Sequence, residues 1–293
     1  MFNGCQKKAI KSHVLQKNGI LREISDKNHL VQFLPPNPFE TAEKGMFDFK
    51  EIGVNDVYTF KGFCEEHDNK IFEPIESKSE LNFTDPKQQT LFCYRGLCQE
   101  IRRKEISTEW LSDLIKICPI ETIHLMQSSL NGYNHGIENL SFFKKELEKA
   151  INTNNYSSFK FTTIKIPRIE LCISVPLNIK ASNQEDLNIP YCTSFLNVFP
   201  KNDSTYVIGG FHQDFKCSWT NKFLMIMRSA NKGKILKELS DLVTMRLEFW
   251  TMSPKLFKKI PSYAIEDYKR LFTANVFNHD SNLKTELNIF SNA

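Results

Sequence analysis

Several familiar signatures are missing from this sequence of 293 residues. It has no P-loop, no G-x-G-x-x-G dinucleotide motif and no H-E-x-x-H zinc-protease motif. It also has no G-x-S-x-G nucleophile motif. These absences leave no sequence support for a nucleotide-dependent enzyme, a zinc protease or a serine hydrolase.

Long apolar runs are missing too. The longest ones, such as residues 223–227, are far too short to span a bilayer. The start of the chain is polar and basic, unlike a secretory signal. The eight cysteines are scattered without a dense disulfide framework, at positions 5, 64, 93, 98, 118, 172, 192 and 217. We therefore expect a cytoplasmic protein with mostly reduced thiols and no membrane partner.

The composition is that of an ordinary globular protein. Hydrophobic residues make up 41% and charged residues 25% of the chain, which excludes the disordered class. The net charge of +4 permits nucleic-acid contact without requiring it. The length suits one large domain or two smaller ones.

The pattern along the chain changes twice and predicts three regions. Residues 1–80 are irregular and carry Cys/His pairs, residues 81–155 have helical periodicity, and residues 156–293 combine strands with helices. The expected fold class is α+β: an N-terminal zinc-knuckle region, a helical middle, and a small antiparallel sheet with C-terminal helices. A small metal module compensates for a weak apolar core by using the ion in its place.

The middle region predicts three helices. Asp85 and Pro86 suit the N-cap and the first position of one helix. Ser107 is a candidate cap for a second helix, and a third helix would open at Pro119. Arg95 lies on the first of these helices. We favour a solvated helix face for it, with an ion pair to Glu76 as the alternative.

The last region predicts a hairpin followed by helices. Residues 194–199 and 205–210 read as its two strands, joined by a longer loop at residues 200–204. Apolar residues then repeat at helical spacing over 235–247, and a further helix is predicted over 263–276.

Two Cys/His pairs are the most specific chemical feature. Cys64 and His67 are three residues apart, so a helix starting near Cys64 would place both side chains on one face. Cys5 and His13 form a second pair upstream. Thiolate and imidazole are the usual ligands of zinc, and four of them would complete a tetrahedral Cys2His2 site.

These residues resemble the HNH, or ββα-metal, nucleases. In that family a zinc knuckle precedes a catalytic His, and a short helix then opens on C-x2-C-H or a relative, often followed by Asn and Lys. Here Cys5 is followed eight residues later by His13, and residues 64–70 read C-E-E-H-D-N-K. The resemblance covers about residues 1–76 and implies a treble-clef-like zinc module.

The resemblance also implies roles for single residues. Cys64 and His67 match the second zinc knuckle, His13 the general base, Asp68 the catalytic metal ligand, and Asn55 the middle Asn. The implied reaction is phosphodiester hydrolysis assisted by Mg²⁺ or Mn²⁺. In it a neutral His takes a proton from water and the ion stabilises the charge on the phosphate.

The chain departs from the family pattern in three places. Cys5 has no second cysteine in its knuckle, Ser12 replaces the acidic residue before His13, and Asp68 stands where His is usual. The missing cysteine leaves His13 two possible roles, as general base or as the fourth zinc ligand.

The N-terminal segment is locally basic. Lys11, Gln16 and Lys17 surround His13 in the sequence and are candidate contacts to a nucleic-acid backbone.

The leading prediction is therefore a zinc-organised protein that acts on nucleic acid, with the activity of an HNH-like endonuclease. The alternative is a non-catalytic zinc-stabilised subunit that binds a protein partner or a second copy of itself. The wider pattern, from Ser12-His13 to Tyr94-Arg95, also looks like a group of uncharacterised bacterial proteins. Such chains would suit phage-defence systems.

Overall fold

The structure, a computed structural model, describes residues 5–34, 47–77, 81–178, 190–275, 280 and 282–293. Its centre is a seven-stranded antiparallel sheet in the order β3-β2-β9-β6-β7-β8-β5. The strands are β2 (His29–Leu34), β3 (Asp48–Gly53), β5 (Phe159–Pro167), β6 (Leu171–Asn178), β7 (Thr193–Lys201), β8 (Ser204–His212) and β9 (Thr251–Met252). A separate ribbon pairs β1 (Lys11–His13) with β4 (Thr59–Lys61).

Helices cover both faces of the sheet. They are α1 (Glu65–Glu76), α2 (Pro86–Ile115), α3 (Ile120–Thr153), α4 (Ser218–Ser229), α5 (Lys232–Arg246), α6 (Pro254–Phe257) and α7 (Ser262–Asn275). A π-helical turn at Lys17–Leu21 and a 3₁₀ turn at Arg22–Ile24 follow β1. None of the described helices is long and apolar enough to cross a membrane.

Side chains of the central strands alternate between two cores. Leu196 and Val198 of β7 belong to the core beneath α4, α5 and α7. Phe195 and Phe199 of the same strand belong to the core beneath α1, α2 and α3. This period of two is the pattern of a strand buried on both faces. The fold is therefore a layered α+β arrangement with C-terminal helices, as the sequence predicted.

The N-terminal region shares this sheet. β2 pairs with both β3 and β9 through registers such as Val31↔Met252, and Val31 and Phe33 enter the same core as the C-terminal helices. The sheet thus draws strands from both sides of the predicted boundary at residue 80.

Two local predictions need correction. Residues 86–115 form one continuous helix, so Ser107 does not cap a second one; the side chain of Asp85 caps this single helix by accepting from the Lys87 amide. The hairpin is confirmed, but its strands continue to Lys201 and Ser204 and leave a two-residue turn. Asn202 takes the left-handed conformation in this turn (φ 53°), which asparagine tolerates well.

Helix α2 crosses the sheet at very close range. A Cβ atom placed on Gly96 would lie 2.5 Å from Ser174 Oγ and 3.1 Å from the Ser174 backbone carbonyl. Glycine therefore allows α2 to approach β6 at this crossing. This contact fixes the height of α2 above the sheet, and with it the position of Arg95, the preceding residue.

Candidate metal centre

Cys64 lies between the end of β4 at Lys61 and the start of α1 at Glu65. It is the N-cap residue of α1 and is 5% exposed. His67 follows in the first turn of the helix, and its Nδ1 lies 3.2 Å from Cys64 Sγ. The predicted helix start and the predicted shared face are both confirmed by this geometry.

Cys5 lies close to Cys64 in the structure, although the two residues are 59 positions apart in the sequence. The N-terminal strand is held against β4 by its ribbon pairing and by a hydrogen bond from the Ile10 amide to the Phe63 carbonyl, 2.8 Å long. An ion pair joins Lys7 to Glu66 on the first turn of α1. These contacts place Cys5 Sγ 3.6 Å from Cys64 Sγ.

The three ligand atoms converge on one place. Cys5, Cys64 and His67 each offer an atom that lies within 4.8 Å of the other two. Two sulfur atoms bound to one tetrahedral zinc at about 2.3 Å lie about 3.8 Å apart, close to the 3.6 Å observed. Both cysteines are free thiols. The group can therefore hold a metal ion, and two thiolates with one imidazole suit zinc.

The local electrostatics favour a thiolate at Cys64. The backbone N–H of His67, at the positive end of α1, and the neighbouring Cys5 thiol lower the pKa of Cys64 below its usual value. A metal binds the deprotonated thiol, so this environment assists ligation. Within the described residues the group contains three ligands, and residues 1–4 carry no Cys, His, Asp or Glu.

His13 stands apart from this group. It is the last residue of β1, and its Nε2 donates a hydrogen bond to the Val54 carbonyl, 2.8 Å away. Burial lowers its pKa, and the positive charges of Lys17 and Arg95 act in the same direction. The imidazole is therefore neutral at pH 7, and its Nε2 proton is already engaged. The structure does not bring His13 to the three ligands.

Asp68 is engaged by an arginine. Arg95 lies on α2, is 2% exposed, and its Nη2 contacts both Asp68 carboxylate oxygens at 3.2 Å. Its Nη1 pairs with Glu76, and its guanidinium lies over the Phe72 ring, 4.4 Å from the centroid. The favoured solvated position for Arg95 was therefore wrong, and the alternative pair with Glu76 is present.

The remaining candidates lie in different settings. Lys11 is exposed and paired with Asp56, and Lys17 is half-buried at the start of the π-helical turn. Gln16 is buried and donates to the Glu76 carbonyl, 3.2 Å away. Asn55 is exposed in the turn between β3 and β4. Of the three predicted contacts to nucleic acid, Gln16 is therefore buried, and only Lys11 is fully exposed.

The sequence analysis offered the Arg95–Glu76 pair only as an alternative and did not include Asp68 and Phe72 in the same cluster, although a signal was present. Asp68, Phe72 and Glu76 repeat at a spacing of four, which puts them on one face of α1. That face meets Arg95 of α2. The spacing alone identifies a shared face, and only the packing of α2 on α1 supplies the partner.

Comparisons with protein families, with curated proteins and with solved structures found no significant match for this chain. The HNH-like resemblance therefore stays a prediction.

Proposed function

We propose that this protein is a zinc-organised, non-catalytic subunit that binds a partner protein in the cytoplasm. One contrast carries the proposal: three soft ligands converge at Cys5, Cys64 and His67, while the carboxylate of Asp68 is held by buried Arg95. A zinc ion at the three ligands would tie the N-terminal strand to the start of α1. Its role there is to stabilise the fold.

The catalytic pair implied by the HNH resemblance receives little support from the geometry. A carboxylate that ligates a divalent ion needs its oxygens directed at the ion, yet both oxygens of Asp68 face the Arg95 guanidinium. A cation in that position also repels a second cation. We therefore place the non-catalytic alternative ahead of the nuclease.

The binding role rests on the far end of the α2–α3 hairpin. We define the hairpin tip as residues 105–126. Of the eight exposed large hydrophobic residues in the described chain, five lie in this tip: Ile106, Trp110, Ile117, Ile120 and Leu125. Trp110 is 61% and Ile117 81% exposed. A concentration of exposed apolar residues is typical of a protein-binding surface.

The charge of the tip indicates the kind of partner. It holds four acidic residues (Glu105, Glu109, Asp113 and Glu121) and one basic residue, Lys116. Arg102, just outside the tip, pairs with Glu105 and Glu109, so the tip and this arginine together have a net charge of −2 in a chain of net charge +4. A negative surface repels a phosphate backbone. The partner that fits is a protein whose apolar surface is bordered by basic residues.

Metal content tests the first half of this proposal. We expect elemental analysis of the purified protein to give about one zinc per chain. A Cys64→Ser variant should lose the zinc, and a His13→Ala variant should keep it. The matched control is Cys98→Ser, which removes a buried thiol outside the ligand group. A wild-type protein without bound metal, after purification in zinc-containing buffer, would contradict the proposal.

A defined peptide tests the second half. We expect an amphipathic helical peptide of Leu and Lys to bind the wild-type protein, and a matched peptide of Leu and Glu not to bind. Trp110→Ala should weaken binding at least tenfold, whereas Tyr263→Ala, an exposed aromatic outside the tip, should leave it unchanged. Equal binding of both peptides, or equal binding by both variants, would remove the tip from the proposal.

A metal-dependent nuclease is the second candidate, favoured by the neutral state of His13. A general base must be unprotonated before it accepts a proton, and burial keeps the pKa of His13 low. On this reading Mg²⁺- or Mn²⁺-dependent nicking should occur and be lost in His13→Ala with zinc retained. No cleavage of single-stranded or duplex DNA or RNA by the wild type would exclude it.

A further inference from the structure

A cavity opens between α4, α5 and residues 282–284. This α4–α5 cavity has a volume of 170 Å³, and its apolar lining consists of Trp219, Phe223 and Ile226 from α4, Leu242 from α5, and Leu283. The two helices pack on the opposite face of the sheet from α2 and α3. The cavity therefore belongs to a different layer of the molecule from the metal centre and the hairpin tip.

The border of the cavity is positively charged. Its two carboxylates, Glu238 and Asp241, are each paired with a lysine. Lys222 and Arg246 also line the cavity, and neither forms an ion pair with another residue that the structure describes. Lys222 is exposed, whereas Arg246 is half-buried and donates a hydrogen bond to a backbone carbonyl 2.8 Å away. An apolar recess with these two cations at its border suits an apolar group that is flanked by carboxylates.

One buried oxygen in the cavity lining has no hydrogen-bond donor. The side chain of Asp241 is 7% exposed, and its Oδ1 accepts from Lys237 Nζ at 2.6 Å and from the Thr285 amide at 3.0 Å. Its Oδ2 is buried and has no partner within the described part of the chain. A buried acceptor without a donor is unfavourable. A group that enters the cavity with an N–H donor would satisfy it.

The hairpin tip carries the complementary groups. None of residues 105–126, all of which the structure describes, belongs to either core, so the tip extends beyond the layers around the sheet. Trp110 is 61% exposed and offers an aromatic ring with an indole N–H, which needs an acceptor when it is buried.

Two carboxylates flank Trp110 on α2. Glu109 precedes it, and Asp113 follows one helical turn later. In the free tip they form exposed ion pairs with Arg102 and Lys116. Exposed pairs of this kind contribute little free energy, so the carboxylates can exchange these partners for cations of another surface.

We propose, on the basis of the binding role proposed for the tip, that Trp110 of one copy inserts into the α4–α5 cavity of a second copy. The ring packs against the apolar lining, and the indole N–H donates to Asp241 Oδ2. The carboxylates beside Trp110 then lie near Lys222 and Arg246. A buried aromatic anchor with charged groups around it is typical of the centre of a protein interface.

The contact joins two different surfaces of the same chain. Each copy presents one tip and one cavity, on helices that cover opposite faces of the sheet. A contact of this heterologous kind leaves a free tip at one end of a pair and a free cavity at the other. The protein therefore assembles head to tail into chains or rings of more than two copies.

Sedimentation velocity of the zinc-loaded full chain over a range of concentrations tests the assembly. The mean mass of the wild type should rise with concentration beyond that of a dimer. Trp110→Ala and Lys222→Glu should each remain monomeric at concentrations where the wild type assembles. The matched controls are Tyr263→Ala and Lys234→Glu, which change an exposed aromatic and an exposed lysine outside both surfaces. Both controls should assemble as the wild type does.

A mixture of the two defective variants tests the direction of the contact. Trp110→Ala keeps an intact cavity, and Lys222→Glu keeps an intact tip. An equimolar mixture should form dimers that do not grow further. Trp110→Phe keeps a ring but loses the N–H donor, and it should weaken assembly about tenfold.

Three results would overturn the proposal: a wild type that stays monomeric at its highest soluble concentration, a mixture that does not form dimers, or a Trp110→Phe variant that assembles as the wild type does. The Leu–Lys peptide separates this failure from failure of the proposed function. If the peptide binds through Trp110 while the wild type stays monomeric, the tip binds a different protein, and only the self-docking is wrong. The thermal transition of each variant verifies that it is folded.

Discussion

The guanidinium of Arg95 meets both carboxylate oxygens of Asp68 at 3.2 Å, with Arg95 only 2% exposed. The same arginine pairs with Glu76 and stacks on Phe72. It therefore joins α2 to one face of α1, the helix that is capped by Cys64 and holds His67 in its first turn, two of the three candidate metal ligands. The ion pair has a structural role that bears directly on the candidate site.

Replacement of Arg95 should reduce the stability of the fold. In Arg95→Met, Asp68 and Glu76 lose their partner, and the free energy of unfolding should fall by about 3 kcal/mol. Urea denaturation measures the change. The matched control is Arg102→Met, whose pairs with Glu105 and Glu109 are more exposed and should cost less than about 1 kcal/mol. Equal losses in the two variants would show that the buried cluster does not stabilise the fold.

Alanine substitutions at two glycines should change the stability in opposite directions, because only Gly96 lies at the close crossing of α2 and β6. Gly96→Ala should destabilise by about 1–3 kcal/mol, because the new methyl group meets Ser174 and forces the helix outward. Gly132→Ala, in the interior of α3 with no atom within 4 Å of the added carbon, should stabilise by about 0.5–1 kcal/mol. Thermal unfolding of both variants checks the signs, and a stabilising Gly96→Ala would contradict the packing described.

The environment of His13 predicts a loss of stability in acid. Its folded-state pKa lies below the usual 6.5, chiefly because it is buried. Above pH 6.5 the folded and unfolded states both hold it neutral. As the pH falls below 6.5, the unfolded state takes up the proton first, so stability is lost until the folded pKa is passed.

A variant isolates this contribution. Wild type and His13→Gln are compared by urea unfolding from pH 7.5 to 5. The wild type should lose more stability than the variant below pH 6.5, by at most about 1.4 kcal/mol per pH unit. Parallel curves for the two proteins over this range would show that His13 does not titrate abnormally.

The proposed zinc between the N-terminal segment and the start of α1 predicts that a chelator destabilises this part of the protein. The proposed zinc at Cys5, Cys64 and His67 would join segments 59 residues apart, so its removal should lower the melting temperature and expose the N-terminal segment. EDTA treatment followed by limited proteolysis tests this: cleavage within residues 5–13 should increase and be reversed by added zinc. Cys64→Ser should be cleaved equally with and without EDTA.

The sequence predicted those parts of the protein that local rules specify. The cap at Asp85, the hairpin formed by β7 and β8, and the common face of Cys64 and His67 each follow from residues close together in the chain. Helical spacing, strand alternation and capping chemistry operate over a few residues, so a single sequence displays them directly.

Other features depended on contacts between distant residues. The entry of Cys5 into the ligand group and the hydrogen bond from His13 to the Val54 carbonyl each join segments that are distant in the sequence. Arg95 illustrates the same limit. Its charge favoured a solvated helix face, but two carboxylates and a ring from α1 made its burial possible.

The sequence by itself thus determined the helix that begins after Asp85, the β7–β8 hairpin and the type of candidate ligands at the start of α1, but not the strands within residues 1–80. Only the tertiary structure decided which side chains share a site, because burial and ion pairing depend on how helices and strands from distant parts of the chain pack together.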